Sequence, residues 1–373
     1  MQFIETNTYP NPTGLTVTHK RILLFFILLG ALLLRLQHIS QPYTDLAGWR
    51  QSSMAMMADN FYHRNANILF PEVSWNGPGE SYNGREFQTV TYTSKLLYSV
   101  LGQHDWVGRL VAVLFGVWGV FAFYKLVRRI WGDTHGLVCA AMLALLPAAI
   151  YFDRSFLPDP AMVSLVITAM WLLIAHLQSG QRRYLLGALF FSCLGFLTKI
   201  TGMLVLLPML YAVLAILQAR KALSVPSVLR IVGPALFVIA IVAAYYLWAR
   251  HLSLHYPPYH FAGADNWLWD EGLATWLQQR FFMDDFWFIA RVWMWGWPFL
   301  ILAAAGLVIS AFVQYKNRWQ FSTEKKNLHA PYLFHYWFVG FVIFYTMGAK
   351  ELIGNFWNFH IFSPVLAAFS GYA

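Results

Sequence analysis

Charge is scarce in this sequence: Asp, Glu, Lys and Arg make up 12% of its 373 residues, about half the share of an ordinary soluble domain. So few charged groups cannot clothe a water-soluble surface, and a hydrophobic content of 58% excludes disordered and collagen-like chains. Cysteine is nearly absent as well. Cys139 and Cys193 both fall in apolar runs, which favours small packing residues over a disulfide or metal pair, and redox chemistry is not implied. There is no H-E-x-x-H, Walker loop, dinucleotide fingerprint or paired C-x-x-C, so the usual soluble zinc, ATP and NAD readings fall away. Basic residues outnumber acidic ones 26 to 17, yet no basic stretch suits nucleic acid, and no nucleic-acid partner is expected.

What the chain has in quantity is apolar runs. They lie at 22–34, 107–124, 136–152, 161–177, 184–197, 200–217, 231–248, 293–313, 332–347 and from 361 onward. Each approaches the roughly 20 residues that cross a bilayer. The expected fold is therefore an all-α polytopic membrane protein of about ten transmembrane helices, a single transmembrane domain over 1–373 whose partner is the lipid bilayer. The first run follows His19, Lys20 and Arg21, but Arg35, Gln37 and His38 stand where a signal-peptide cleavage site would need small residues, so it reads as a retained anchor.

Orientation follows from the short connectors. With the N-terminus cytoplasmic, Lys125, Arg128, Arg129, Arg182, Arg183, Arg220, Lys221 and Arg230 fall inside, and only Arg154 and Lys199 outside. Acidic residues distribute the opposite way: Glu5, Asp133 and Glu324 inside, all others outside or at the outer boundary. The chemistry is expected on the extracytoplasmic face of a plasma (inner) membrane.

Two outer segments, 38–106 and 250–292, exceed what a connector needs. In the first, Met54, Met57, Ala58 and Phe61 recur at i, i+3, i+4 and i+7, which predicts a helix over 50–62 lying in the interface plane. A second helix is expected over 86–101, stopped by Gly102, with the turn-forming stretch 71–79 between them as a loop. The second segment, rich in Trp, Tyr and acids, suits the headgroup layer.

Several residues in these segments are suited to chemistry. Asp45, in D-L-A-G-W-R-Q, is placed to accept a proton from a bound hydroxyl, or else to cap a helix. Arg50 offers a planar fork for a phosphate, or is an interfacial arginine with its head among lipid phosphates. Arg85 and Glu86, adjacent in N-G-R-E-F-Q at the start of the second helix, cannot face each other and so should have separate partners, one of them a ligand. Glu86 could equally complement the helix dipole. Asp153 and Asp159, in Y-F-D-R-S-F-L-P-D-P, are placed for a divalent cation or a sugar hydroxyl, with helix capping ahead of Pro160 as the alternative for Asp159. Lys199 in F-L-T-K-I-T-G either snorkels outward or meets an anion. His104 and Asp105 are a faint metal hint. No cofactor is demanded, and a divalent metal at Asp45 and Asp159 stays open.

The order of these motifs, from Asp45 through W-R-Q-S-S-M-A-M-M-A-D-N-F-Y, G-R-E-F-Q, L-G-Q-H-D-W-V-G-R-L-V and L-P-D-P to L-T-K, resembles the polyprenyl-phosphate-sugar-dependent glycosyltransferases of the C superfamily. That group includes protein O-mannosyltransferases and lipid A aminoarabinose transferases. The resemblance is specific from about 45 to 208, and N-F-W-N-F-H-I-F-S-P resembles a late segment of the family that usually carries tyrosines where Phe359 and His360 stand. It implies transfer of a sugar, with inversion, from a lipid phosphate carrier to a glycan, lipid or protein acceptor on the outer side. By the same resemblance Asp45 would be the catalytic base, Arg85 or Glu86 would face substrate, Asp159 would be the second-loop acid, and Lys199 would lie near the carrier phosphate. Two departures stand out: one first-loop acid where relatives often have a pair, and an end at Ala373 where relatives continue, as a fragment would. The competing reading of such a chain is a transporter or lipid flippase, which would hold ionisable groups at mid-membrane depth in two matching halves.

Overall fold

A computed structural model describes residues 16–77, 79–259, 267–278, 284–320 and 330–373. Glu5 and Glu324, assigned above to the cytoplasmic side, lie outside the described residues, as do Pro78 of the first outer loop and parts of the second. Among the described residues there is no β-strand, only an isolated antiparallel bridge between Glu72 and Tyr82, and the expected all-α architecture is what the chain adopts.

Every apolar run has a helix. The chain runs α1 (Val17–Leu36), α2 (Gly48–His63), α3 (Thr89–Leu101), α4 (Asp105–Trp131), α5 (Asp133–Leu145), α6 (Pro147–Phe152), α7 (Asp159–Ser179) and α8 (Arg182–Thr198). A 3₁₀ turn, Ile200–Val205, leads into α9 (Leu206–Ala219), followed by α10 (Val225–His255) and the short α11 (Leu268–Glu271), α12 (Leu273–Gln278) and α13 (Asp284–Phe288). A π-helical turn, Ile289–Met294, precedes α14 (Gly296–Gln320), then come α15 (Leu333–Gly354), a 3₁₀ segment Phe356–Phe362 and α16 (Ser363–Tyr372). Among the described residues, 7 helices are long and apolar enough to cross a membrane, fewer than the ten runs. The run at 136–152 is broken where Pro147, which cannot donate to the helix, starts α6 after extended Leu146. The run at 184–197 gives a helix of 17 residues and the last run one of 10.

α4 and α7 form the centre. In α7, 83% of the apolar window is buried within the protein, against 6% in α1, whose outer face is left for lipid. The bundle has two chemically distinct ends. At one, Lys20 at the start of α1 bonds Asp133 at the start of α5 (2.7 Å), Arg128 at the end of α4 bonds the same carboxylate (2.5 Å), and Arg129 donates to Gln178 near the end of α7 (2.8 Å). At the other, Arg35 at the end of α1 meets Asp153 just after α6 (2.9 Å) and Lys199 meets Asp159 at the start of α7 (2.6 Å). The 20 residues of α1 separate the ends by about 30 Å, the thickness of a hydrocarbon core.

The two helices of the first outer segment form, with one correction. Met54, Met57, Ala58 and Phe61 on α2 are each no more than 2% exposed and pack against Val90, Val107, Phe156 and Leu165. The amphipathic face of α2 therefore turns onto protein, which covers α3, α4 and α7, rather than onto lipid. Gly102 ends α3 with a positive φ of 79°. α3 itself starts at Thr89, so Arg85 and Glu86 precede the helix rather than open it.

The spans are not free of charge either. Arg35 is fully buried in α1, where its guanidinium bonds Asp153 Oδ2 and the carbonyls of Ala31 and Ala144. Asp153 is held on its other oxygen by His360 Nε2 (2.9 Å), and His360 Nδ1 meets Ser363 Oγ (3.2 Å). Burial alone would raise the Asp153 carboxyl, but Arg35 and His360 outweigh it and hold it below its ordinary value. Gly116 of α4 makes room, since a Cβ there would stand 2.4 Å from the Asp153 Cβ. Asp153 is thus a structural bridge between α1 and the 3₁₀ segment after α15, and not a cation ligand.

Breaking a buried pair strands the remaining charge and costs about 3–5 kcal/mol, whereas replacing both partners by apolar groups costs far less. Asp153→Ala should markedly lower the unfolding temperature in lipid nanodiscs, and Arg35→Met combined with Asp153→Leu should recover most of the loss. A single variant as stable as the parent would contradict the assignment.

Candidate functional site

The described residues suited to chemistry gather at the end of the bundle that holds Lys199 and Asp159. Asp45 lies in the turn before α2, where its carbonyl accepts from Gly48 N (2.8 Å) but its side chain caps no helix, α2 beginning after Ala47 without a side-chain cap. The carboxylate is gripped from two sides instead. The Gln51 amide donates to Oδ1 while Gln51 Oε1 accepts the Phe156 backbone N–H (3.0 Å), tying Asp45 to the loop that carries Asp159. Arg109, reaching out of α4, places Nη1 at 3.5 Å from Asp45 Oδ2 and donates through Nη2 to Pro42 O (3.2 Å), with its guanidinium over the Tyr43 ring at 5.1 Å. At 3.5 Å the Arg109 contact acts through charge more than through a directional bond.

A second set of groups surrounds Arg50. On α2, Arg50 is 5% exposed and ion-paired with Glu86, so neither the lipid-facing arginine nor the dipole-complementing glutamate is realised. Arg85 is half-buried, near enough for its charge to act on Arg50. Lys199 ends α8 and donates its ammonium to Asp159 Oδ1, so Asp159 pairs with a cation rather than capping α7, which lacks a side-chain cap. The segment 83–89 is strapped to the end of α8 by Phe87 N–H to Leu197 O (2.9 Å) and by Thr89 and Thr198 hydroxyls in contact (2.6 Å). Gly84 permits this path, because a Cβ would lie 2.1 Å from Ala249 O of α10.

The electrostatics bind these groups into one neighbourhood. Burial, reinforced by the positive charge of Arg85 and opposed by Asp159, lowers Arg50 to about 9, which leaves it a cation at neutral pH. Burial also lowers Lys199, with Asp159 pulling the other way and the more distant Glu351 doing the same, and it lowers Arg85 against the charge of Glu351. Three cations, Arg50, Arg85 and Lys199, are thus interleaved with Glu86, Asp159 and Glu351. Bonding capacity is left over: Arg50 Nη1, Arg85 Nε and Asp159 Oδ2 are buried atoms with no hydrogen-bond partner among the described residues. Buried polar atoms are seldom left unpaired in a folded protein.

The arrangement does not suit a divalent metal at Asp45 and Asp159. Each carboxylate already faces a cationic side chain, Arg109 for one and Lys199 for the other. Among the described residues there is no group of three or more His, Cys, Asp or Glu that could hold an ion. His104 instead stacks on Trp106 (5.9 Å). Cys139 and Cys193 are free thiols, Cys139 buried.

Sequence reasoning missed Gln51, Arg109 and Glu351. Arg109 carried a usable signal, a lone arginine inside an apolar run. Glu351 lies three residues beyond Gly348, whose non-helical backbone (φ −132°, ψ 27°) kinks α15, and nothing in the local pattern foretells where the kink aims it. Gln51 carried no signal.

Residues 89–248 match the family of dolichyl-phosphate-mannose-protein mannosyltransferases. The Bacillus subtilis protein YkcB, named as a mannosyltransferase, is 28% identical over 192 residues, which is 50% of this chain and 25% of YkcB. The fold is shared with ArnT from Cupriavidus metallidurans, solved with undecaprenyl phosphate, at a TM-score of 0.61 and 15% identity over 95% of this chain and 60% of ArnT. The Archaeoglobus fulgidus oligosaccharyltransferase matches with a TM-score of 0.61 and 15% identity over 94% of this chain and 48% of its own. The chain therefore spans a quarter of the curated relative and about half of the structural ones. The resemblance read from the motifs is borne out: the chain is similar by sequence over 89–248 to that mannosyltransferase family, and it shares its fold over nearly its whole length with ArnT and the oligosaccharyltransferase.

Proposed function

We propose that this chain transfers a sugar from a polyprenyl-phosphate carrier to an acceptor hydroxyl at the extracytoplasmic surface, with inversion at the anomeric carbon. The observation that carries the reading is a set of three cations at one end of a polytopic bundle, buried Arg50 and partly buried Arg85 and Lys199, with Arg50 Nη1 and Arg85 Nε left without a hydrogen-bond partner among the described residues. A lipid phosphate is the anion such a site meets from within a membrane. The positive-inside count supports an orientation with this end outside and the N-terminus in the cytoplasm.

The chemistry follows from the charges. The bond between the anomeric carbon and the phosphate oxygen breaks, the electron pair leaves with the phosphate, and the three cations stabilise the growing negative charge without donating a proton. Glu86, Asp159 and Glu351 keep those cations apart and aimed before the phosphate arrives. The acceptor hydroxyl attacks from the opposite face, and its proton passes to Asp45 as the new bond forms. Gln51 and Arg109 act as positioning residues by fixing the two Asp45 oxygens.

Removal of a placed general base costs about 10²–10⁴ in rate. With the purified protein and labelled lipid-phosphate sugars, Asp45→Asn should lower release of free carrier by that factor while remaining folded and inserted. Turnover equal to the parent would overturn the assignment.

Lys199→Gln should weaken undecaprenyl-phosphate binding in nanodiscs. Binding should also decline as pH rises through the lowered Lys199 value, because the ammonium loses its charge on deprotonation. Affinity that stays level past pH about 10, near the ordinary lysine value, would show that Lys199 does not hold the phosphate.

A further inference from the structure

Along the exposed side of α2 runs an open groove of about 430 Å³, lined by Trp49, Ser52, Ser53, Met56 and Trp75. Four of the five are spaced i, i+3, i+4 and i+7, so they form one helix face, beside the buried face that carries Met54 and Met57. The other wall is Trp75, in a loop docked by the Ser74 N–H on Met56 Sδ (3.1 Å). Trp49 and Trp75 remain 55% and 37% exposed. The Trp49 ring is steadied by an edge contact with Trp357 at 6.4 Å. Ser53 spends its hydroxyl on Trp49 O (2.8 Å), whereas the Ser52 residue is exposed.

No charged side chain lines this groove, so it is not a second phosphate site. Along the chain it begins four residues after Asp45 and one before Arg50. Two exposed indoles offer electron-rich faces to weakly positive C–H groups, and hydroxyls supply the few polar contacts that orient a ligand in an apolar cleft. A neutral pyranose presents that combination: a C–H face for the indoles and hydroxyls on its rim. From this we infer that the groove binds a neutral sugar ring of the acceptor, making Trp49, Ser52 and Trp75 acceptor-recognition residues. The transferase reading supplies the word acceptor. Binding of the ring stands without it.

Saturation-transfer NMR in lipid nanodiscs, free of sugar-headed detergents, tests this with methyl α-mannoside and methyl β-glucoside as probes. Irradiating aromatic protons should mark the ring protons of at least one glycoside, and the signal should fall to background in Trp49→Ala. Ser52→Tyr provides a second variant that fills the groove from an exposed position without removing a packed side chain, and it should abolish the signal too. No transfer to either glycoside in the parent protein, or equal transfer in Ser52→Tyr, would overturn the inference and return both indoles to an ordinary headgroup belt. Since no donor is present, sugar binding that survives in Asp45→Asn, combined with an active Asp45→Asn enzyme, would refute the base assignment and leave this site standing.

Discussion

A charge inside a membrane protein must find a partner or leave the apolar phase, and the paired charges at one end of this bundle follow from that constraint. Arg35 with Asp153, Arg50 with Glu86, and Lys199 with Asp159 each join segments distant along the chain. They draw α1, α2, α8 and the loop before α7 to one place. His360 adds the late 3₁₀ segment through Asp153. Chain segments far apart in sequence are therefore assembled by the same ionised groups that make the place chemically interesting.

These pairs differ in what they leave over. The Arg35, Asp153 and His360 network uses both carboxylate oxygens and is closed, which fits a structural bridge. Around Arg50 the accounting does not close: an Arg50 nitrogen, an Arg85 nitrogen and an Asp159 oxygen stay buried and unmatched. A network that is satisfied rigidifies a fold, while one with spare, aimed donors is prepared for something that arrives later. Burial, acting first on Arg50, Arg85 and Lys199, lowers their affinity for protons. An incoming anion would relieve that penalty, so binding it is favoured by the strain of holding the cations in place.

Much of this was legible in the residues. Apolar runs located every long helix, and the 3.6-residue spacing of Met54, Met57 and Phe61 located α2. Arg85 and Glu86 do have different surroundings, Glu86 pairing with Arg50, but they lie outside a helix, so the helical spacing rule is not what separates them. What could not be read was partner choice across the chain. Periodicity gives a helix its apolar face but not what covers it, so α2 was expected on lipid and lies on protein. Glu86 was expected inside a helix, but α3 starts later because the segment before it is strapped to α8. The pairs between Glu86 and Arg50, and between Asp159 and Lys199, span 36 and 40 residues, beyond any local pattern. Arg109 escaped because its partner, Asp45, lies in another element 64 residues away.

The central claim is that the end of the bundle bearing Arg50, Arg85 and Lys199 receives the phosphate of a lipid carrier. A cryo-EM map of the protein in nanodiscs containing undecaprenyl phosphate tests it most directly. The phosphate should sit within hydrogen-bond reach of the unmatched Arg50 and Arg85 nitrogens, beside Lys199. A phosphate resting instead against Lys20 and Arg128 at the opposite end would contradict the account.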